Sequence, residues 1–116
     1  MKRINLKELQ TLKMNGKDFI LYVRSEKKRE SIKEIFDTDV VVPELEKGFK
    51  LDFFSINADE DPDILKEFPL PALVLFKAGI PTKILRGICA WNQYIQTIKG
   101  VYFGGEGNAH ECPSPA

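Results

Sequence analysis

The apolar positions along the chain change rhythm several times, and each change marks an element. Leu6, Leu9 and Leu12 recur at helical spacing behind Asn5, a suitable N-cap, and Asn15-Gly16 ends that segment. "DFILYV" (Asp18–Val23) is an unbroken apolar run, the pattern of a strand covered on both faces. In "SEKKRESIKEIF", Ile32, Ile35 and Phe36 give one short helical face among charges that read as a solvated surface. In "DTDVVVPELEKGF", Val41, Leu45 and Phe49 fall four apart and predict a further helix that contains or begins near Pro43. "KLDFFSINAD" predicts a second strand through Phe53, Phe54 and Ile56. "EDPDILKEF" predicts a short helix opened by acids, with Pro62 in its first turn. "ALVLF" is a third strand, joined by the tight turn Lys77-Ala78-Gly79 to "PTKILRG", which must therefore run antiparallel, with Pro81 suited to an edge. Trp91, Tyr94, Ile95 and Ile98 lie at i, i+3, i+4 and i+7 and predict a last helix.

The predicted order is α-β-α-α-β-α-β-β-α. Right-handed crossovers then give a four-stranded mixed sheet with helices on both faces. The domain is expected over residues 1–103. The segment 104–116, "GGEGNAHECPSPA" after Phe103, is rich in Gly, Pro and Ser and reads as a disordered tail.

Composition narrows the function classes. The chain has 116 residues, 43% hydrophobic and 29% charged, enough for one domain with a core. Seventeen basic residues balance seventeen acidic ones, which argues against a nucleic-acid binder working through a global positive field. The basic start "MKRINLKELQ" has no apolar run behind it, and no stretch approaches the ~20 apolar residues of a membrane span, so a cytoplasmic protein is expected. Two distant cysteines, Cys89 and Cys112, form no Cys-x-x-Cys pair. His110 and Cys112 are too few donors for zinc, and with a single histidine no metal, cofactor or catalytic set is expected.

Pro71 stands at the entrance of the apolar run "ALVLFKAG", where a central strand does not tolerate it. Thioredoxin-like domains carry a cis-proline just before the third core strand, followed by a run of this type and a turn glycine, and this chain resembles them there. "INADEDPDILKEF" resembles the family's entry into its connecting helix, and Pro43 resembles the proline that kinks its active-site helix. The resemblance covers about Lys17 to Lys99 and implies a cis bond at Pro71. It also exposes departures. Counted back from Pro43, the redox Cys-x-x-Cys would fall on Ile35-Phe36-Asp37-Thr38, and neither end is cysteine. The acid that redox members bury in the first core strand would lie near Tyr22. Thiol–disulfide exchange needs an attacking and a resolving thiol, and this position has neither.

"PLPALVLFKAG" and "GICAWNQYI", with the long "RSEKKRESIKEIFDTDVVVPEL" segment, further resemble the HyaE/HupG-type hydrogenase-expression accessory proteins. That resemblance implies a chaperone for the small subunit of nickel–iron hydrogenase that recognises its twin-arginine signal peptide. Phe36 and Asp37 have two readings: a helix face with an N-cap at Asp37 or Asp39, or an apolar and acidic lip beside Pro71 able to pair with guanidinium. Glu44, Glu46, Asp59, Glu60, Asp61 and Asp63 could add negative charge, or simply complement helix termini. Trp91 reads as a core anchor or, if exposed, a binding hot spot. Cys89 reads as a buried inert thiol. The expectation is a redox-inactive protein-binding module using Phe36, Asp37, Thr38, Leu70, Pro71 and Trp91. The alternatives are an atypical thiol enzyme using Cys89, or a structural module of a larger complex.

Overall fold

A computed structural model describes residues 1–104. Its sheet has five strands: β1 (Lys2–Arg3), β2 (Phe19–Arg24), β3 (Phe53–Asn57), β4 (Ala72–Lys77) and β5 (Ile80–Arg86), in the order β1-β3-β2-β4-β5. β2 and β3 are parallel, while β4 runs antiparallel to both β2 and β5. Three α-helices, α1 (Leu6–Met14), α2 (Lys33–Gly48) and α3 (Trp91–Tyr102), and a 3-10 turn at Pro62–Lys66 complete the fold.

β2 and β4 lie at the middle of the sheet, and five of the six residues in each are buried, as their unbroken apolar runs require. Two cores result. Leu9 of α1 and Ile64 of the 3-10 turn pack on one face with Leu21, Val23, Val74 and Phe76. There Phe19 stacks on Phe76 with ring centroids 4.4 Å apart. Val42 and Leu45 of α2 and Tyr94 and Ile98 of α3 pack on the other face with Ile20, Tyr22 and Leu75. The chain thus crosses one face between β2 and β3 and the opposite face between β3 and β4.

Three expectations change. The sheet has a fifth strand, because Lys2 and Arg3 pair in parallel with Phe54 and Ser55; two exposed basic residues carry no strand pattern. The two helices expected between β2 and β3 are one, Lys33–Gly48, with Pro43 inside it. Proline there forfeits only the bond it would donate to the Asp39 carbonyl, and burial of Ile35, Val42 and Leu45 holds the helix continuous across it. Neither Asp37 nor Asp39 is an N-cap: the cap position is Ile32, which makes no side-chain cap bond. Asn5 does cap α1, in a reciprocal capping box with Glu8. The expected tail, with His110 and Cys112, lies outside the described residues.

Candidate functional site

The carboxyl end of β2, the amino ends of α2, β4 and α3 and the carboxyl end of β5 meet at one end of the sheet. Register places them there: Val23 pairs with Ala72, and Ala72 with Arg86. The Leu70–Pro71 bond that opens β4 is cis. The Pro71 carbonyl accepts from the Gly87 amide at 2.9 Å, which ties the loop leading into α3 to the proline. Trp91 opens α3 just after that loop.

Helical geometry sorts the residues of α2. Ile35, Thr38 and Val42 turn toward the sheet, and Phe36 and Val40, one turn apart, face out, 52% and 60% exposed. Asp37 is half-buried and its carboxylate has no polar partner among the described residues. Asp39 is the opposite case. Arg24 of β2 holds it in a bidentate pair, Nε to Oδ1 and Nη2 to Oδ2, both 2.8 Å. Arg29 Nε lies 3.0 Å from Oδ2, and the buried Tyr22 phenol donates to Oδ1 at 2.6 Å. Burial alone would raise the Asp39 carboxyl, but the Arg24 and Tyr22 hydrogen bonds outweigh it and hold it below its ordinary value. Burial, then the bond to Asp39, pushes the Tyr22 phenol well up. The Thr38 hydroxyl closes the cluster, 2.6 Å from Tyr22 Oη and 2.9 Å from the Glu34 carbonyl. Arg29 also lies over the Phe36 ring, 4.7 Å from its centroid.

The expected site residues therefore divide. Phe36, Asp37 and Trp91 reach solvent, and Leu70 is half-buried beside the buried Pro71. Thr38 does not: at 2% exposure it supports α2 from beneath and cannot touch a ligand. Trp91 is no core anchor, being 48% exposed at the first position of α3. Cys89 is half-buried rather than buried, and no free cysteine stands among the described residues. Most of the surface acids expected to add negative charge are engaged. Glu44 pairs with Lys47, Glu46 with the amino terminus, Glu60 with Arg3 and Asp63 with Lys66, and Asp59 accepts from Ser25 and the Lys27 amide.

What sequence reasoning missed is the Arg24–Asp39–Tyr22 cluster. Arg24 and Asp39 stand beside other charged residues, and no sequence pattern pairs them before β2 and α2 are placed. Tyr22 is here a hydrogen-bond donor that ties α2 to the sheet. Of the expected contact residues, Phe36 and Trp91 are exposed, Leu70 is half-buried, and Asp37 carries a carboxylate with no polar partner among the described residues.

A family model described as "Hydrogenase-1 expression protein HyaE" matches residues 1–94. An uncharacterized protein of Aquifex aeolicus (strain VF5) is 44% identical over 102 residues, covering 85% of this chain and 88% of that one. Among solved structures, one described as the hydrogenase expression/formation protein hupG of Rhodopseudomonas palustris CGA009 aligns with TM-score 0.50 and 19% identity, over 86% of this chain and 93% of that chain. Human ERp44 aligns with TM-score 0.53 and 16% identity, over 85% of this chain and 32% of that chain. At these identities the two structures establish a thioredoxin-like fold.

Proposed function

The chain belongs to the HyaE family of hydrogenase expression proteins and has an accessory role in hydrogenase maturation; we propose that it fills that role in the cytoplasm as a redox-inactive chaperone that holds the twin-arginine signal segment of the nickel–iron hydrogenase small subunit. The observations that support this reading are the unengaged Asp37 carboxylate next to the exposed Phe36 on α2, and the cis Leu70–Pro71 bond that opens β4.

An extended segment lies across Leu70 and pairs with its backbone as a short piece of added strand. A guanidinium on that segment takes both oxygens of Asp37. Trp91 covers apolar residues on the other side of Pro71. The same position in a redox thioredoxin would need two thiols, and the residues here are Ile35 and Thr38. Pro71 shapes the strand entrance, and Thr38 serves indirectly by fixing α2.

Co-expression tests it. The small-subunit precursor co-purifies with the chain, the precursor without its signal does not, and Asp37→Lys loses the precursor while unfolding at the wild-type urea midpoint. Equal recovery with and without the signal overturns the reading.

A further inference from the structure

Beyond the contact patch, a separate cavity of about 270 Å³ opens on the other side of Leu70, at the carboxyl ends of β2 and β3. Ala58, Pro62, Leu65 and Leu70 make its walls, and Ser25, Lys27, Lys28 and Asp59 its polar rim. The chain crosses opposite faces of the sheet on either side of this point, the arrangement that leaves a crevice at strand ends. Its volume falls short of the ~300–1,000 Å³ of small-molecule sites and suits one or two side chains of a polypeptide.

Two lysines and one carboxylate give the rim a net positive charge. Asp59 accepts from the Ser25 hydroxyl and from the Lys27 amide at 2.8 Å, and its carboxyl is held below its ordinary value by these bonds. Nearby, Glu26 lies against Arg24 and Glu60 against Arg3, and Asp61 does not line the cavity. Lys27 and Lys28 are both exposed; the Lys27 charge also helps hold the Asp59 carboxyl down, and Lys28 makes no ion pair with a carboxylate among the described residues. Leu65 presents 38% of its surface at the mouth.

We infer that this cavity is a second docking site, for an extended segment of a protein partner that seats a large apolar side chain against Leu65 and Leu70 and lays a flanking carboxylate on Lys27 and Lys28. It prefers the charge opposite to that sought by Asp37, so the two sites read different parts of a partner. The cavity stands on its own lining and does not depend on the twin-arginine reading.

The test uses the full chain, amide-labelled for NMR, titrated with the blocked tetrapeptides Glu-Leu-Phe-Glu and Lys-Leu-Phe-Lys at millimolar concentration. The acidic peptide shifts the amides of Ser25, Lys27, Ala58, Leu65 and Leu70, and the basic peptide binds there at least roughly fivefold more weakly, the contrast two exposed ion pairs supply. The double variant Lys27→Glu, Lys28→Glu inverts that preference. Leu65→Ser weakens the acidic peptide; 38% exposed, it leaves the fold intact. Equal shifts by both peptides, shifts confined to residues 33–40 and 91, or no shifts at all overturn the inference. A chain that binds a twin-arginine peptide and ignores the acidic one overturns the cavity alone, and the converse overturns the twin-arginine reading alone.

Discussion

Removing the Asp39 carboxylate is the sharpest perturbation of this fold. Three groups lose their acceptor in Asp39→Ala. Tyr22 is 2% exposed and trades its charged acceptor for the Thr38 hydroxyl 2.6 Å away, which costs about 1 kcal/mol. The Arg24 side chain is 18% exposed and can turn partly to water, so its loss adds about 1 kcal/mol. Arg29 is 44% exposed and adds little. The sum is about 2 kcal/mol, which lowers the melting temperature by about 8–10 °C in a domain of this size. Urea unfolding followed by far-UV circular dichroism measures it, with Asp37→Ala as the neighbouring control, expected within about 0.5 kcal/mol of wild type. The acid limb gives a second readout. A carboxyl held below its ordinary value contributes fully above about pH 4 and is lost as pH falls through the lowered native value. Wild type therefore destabilises on acidification below about pH 4, and Asp39→Ala shows a shallower decline. A loss under about 1 kcal/mol would refute the reasoning, since it would mean that desolvation of the ion pair already cancels its attraction.

The three tyrosines supply an alkaline prediction. Burial raises Tyr22, Tyr94 and Tyr102 alike, with Asp39 adding to the first and Asp18 to the last. Their contribution is present below the unfolded value of about 10 and lost as pH rises through the raised native values, so tyrosinate absorbance in the folded chain rises at higher pH than in the unfolded chain. A native titration near pH 10 would contradict this. Gly79 has φ +78° and a Cβ there would stand 2.2 Å from the Lys13 carbonyl oxygen, whereas Gly16, at φ +65°, has open space around it. Gly79→Ala should therefore unfold at clearly lower urea than Gly16→Ala, whose cost is only the ~1–2 kcal/mol of left-handed backbone; equal midpoints would refute the contact.

Much of this was legible along the chain because continuous apolar runs and a misplaced proline are strong signals. β2 and β4 stand where "FILYV" and "ALVLF" put them, and Pro71 is cis as the thioredoxin-like resemblance implied. The failures have common physical causes. Lys2–Arg3 forms a strand through backbone pairing with β3, which charged side chains do not advertise. Pro43 does lie inside a helix as expected, but the charged stretch before it hid that Ile35, Val42 and Leu45 form one buried stripe, so two expected helices are one. Asp37 and Asp39 look alike in sequence, and only the 100° between successive helical residues, with Arg24 and Tyr22 beneath, decides which is engaged. The cavity beside Leu70 is built from four separate segments and had no sequence signature at all.

The most direct measurement of the central claim is isothermal titration of the chain with a hydrogenase small-subunit signal peptide, beside the same peptide with both arginines replaced by lysine. Lysine cannot form the planar two-bond contact with Asp37, so the account predicts binding weakened by roughly 10- to 100-fold on that change, the worth of about 1.5–3 kcal/mol. Equal affinity for the two peptides, or no binding of either, would contradict it.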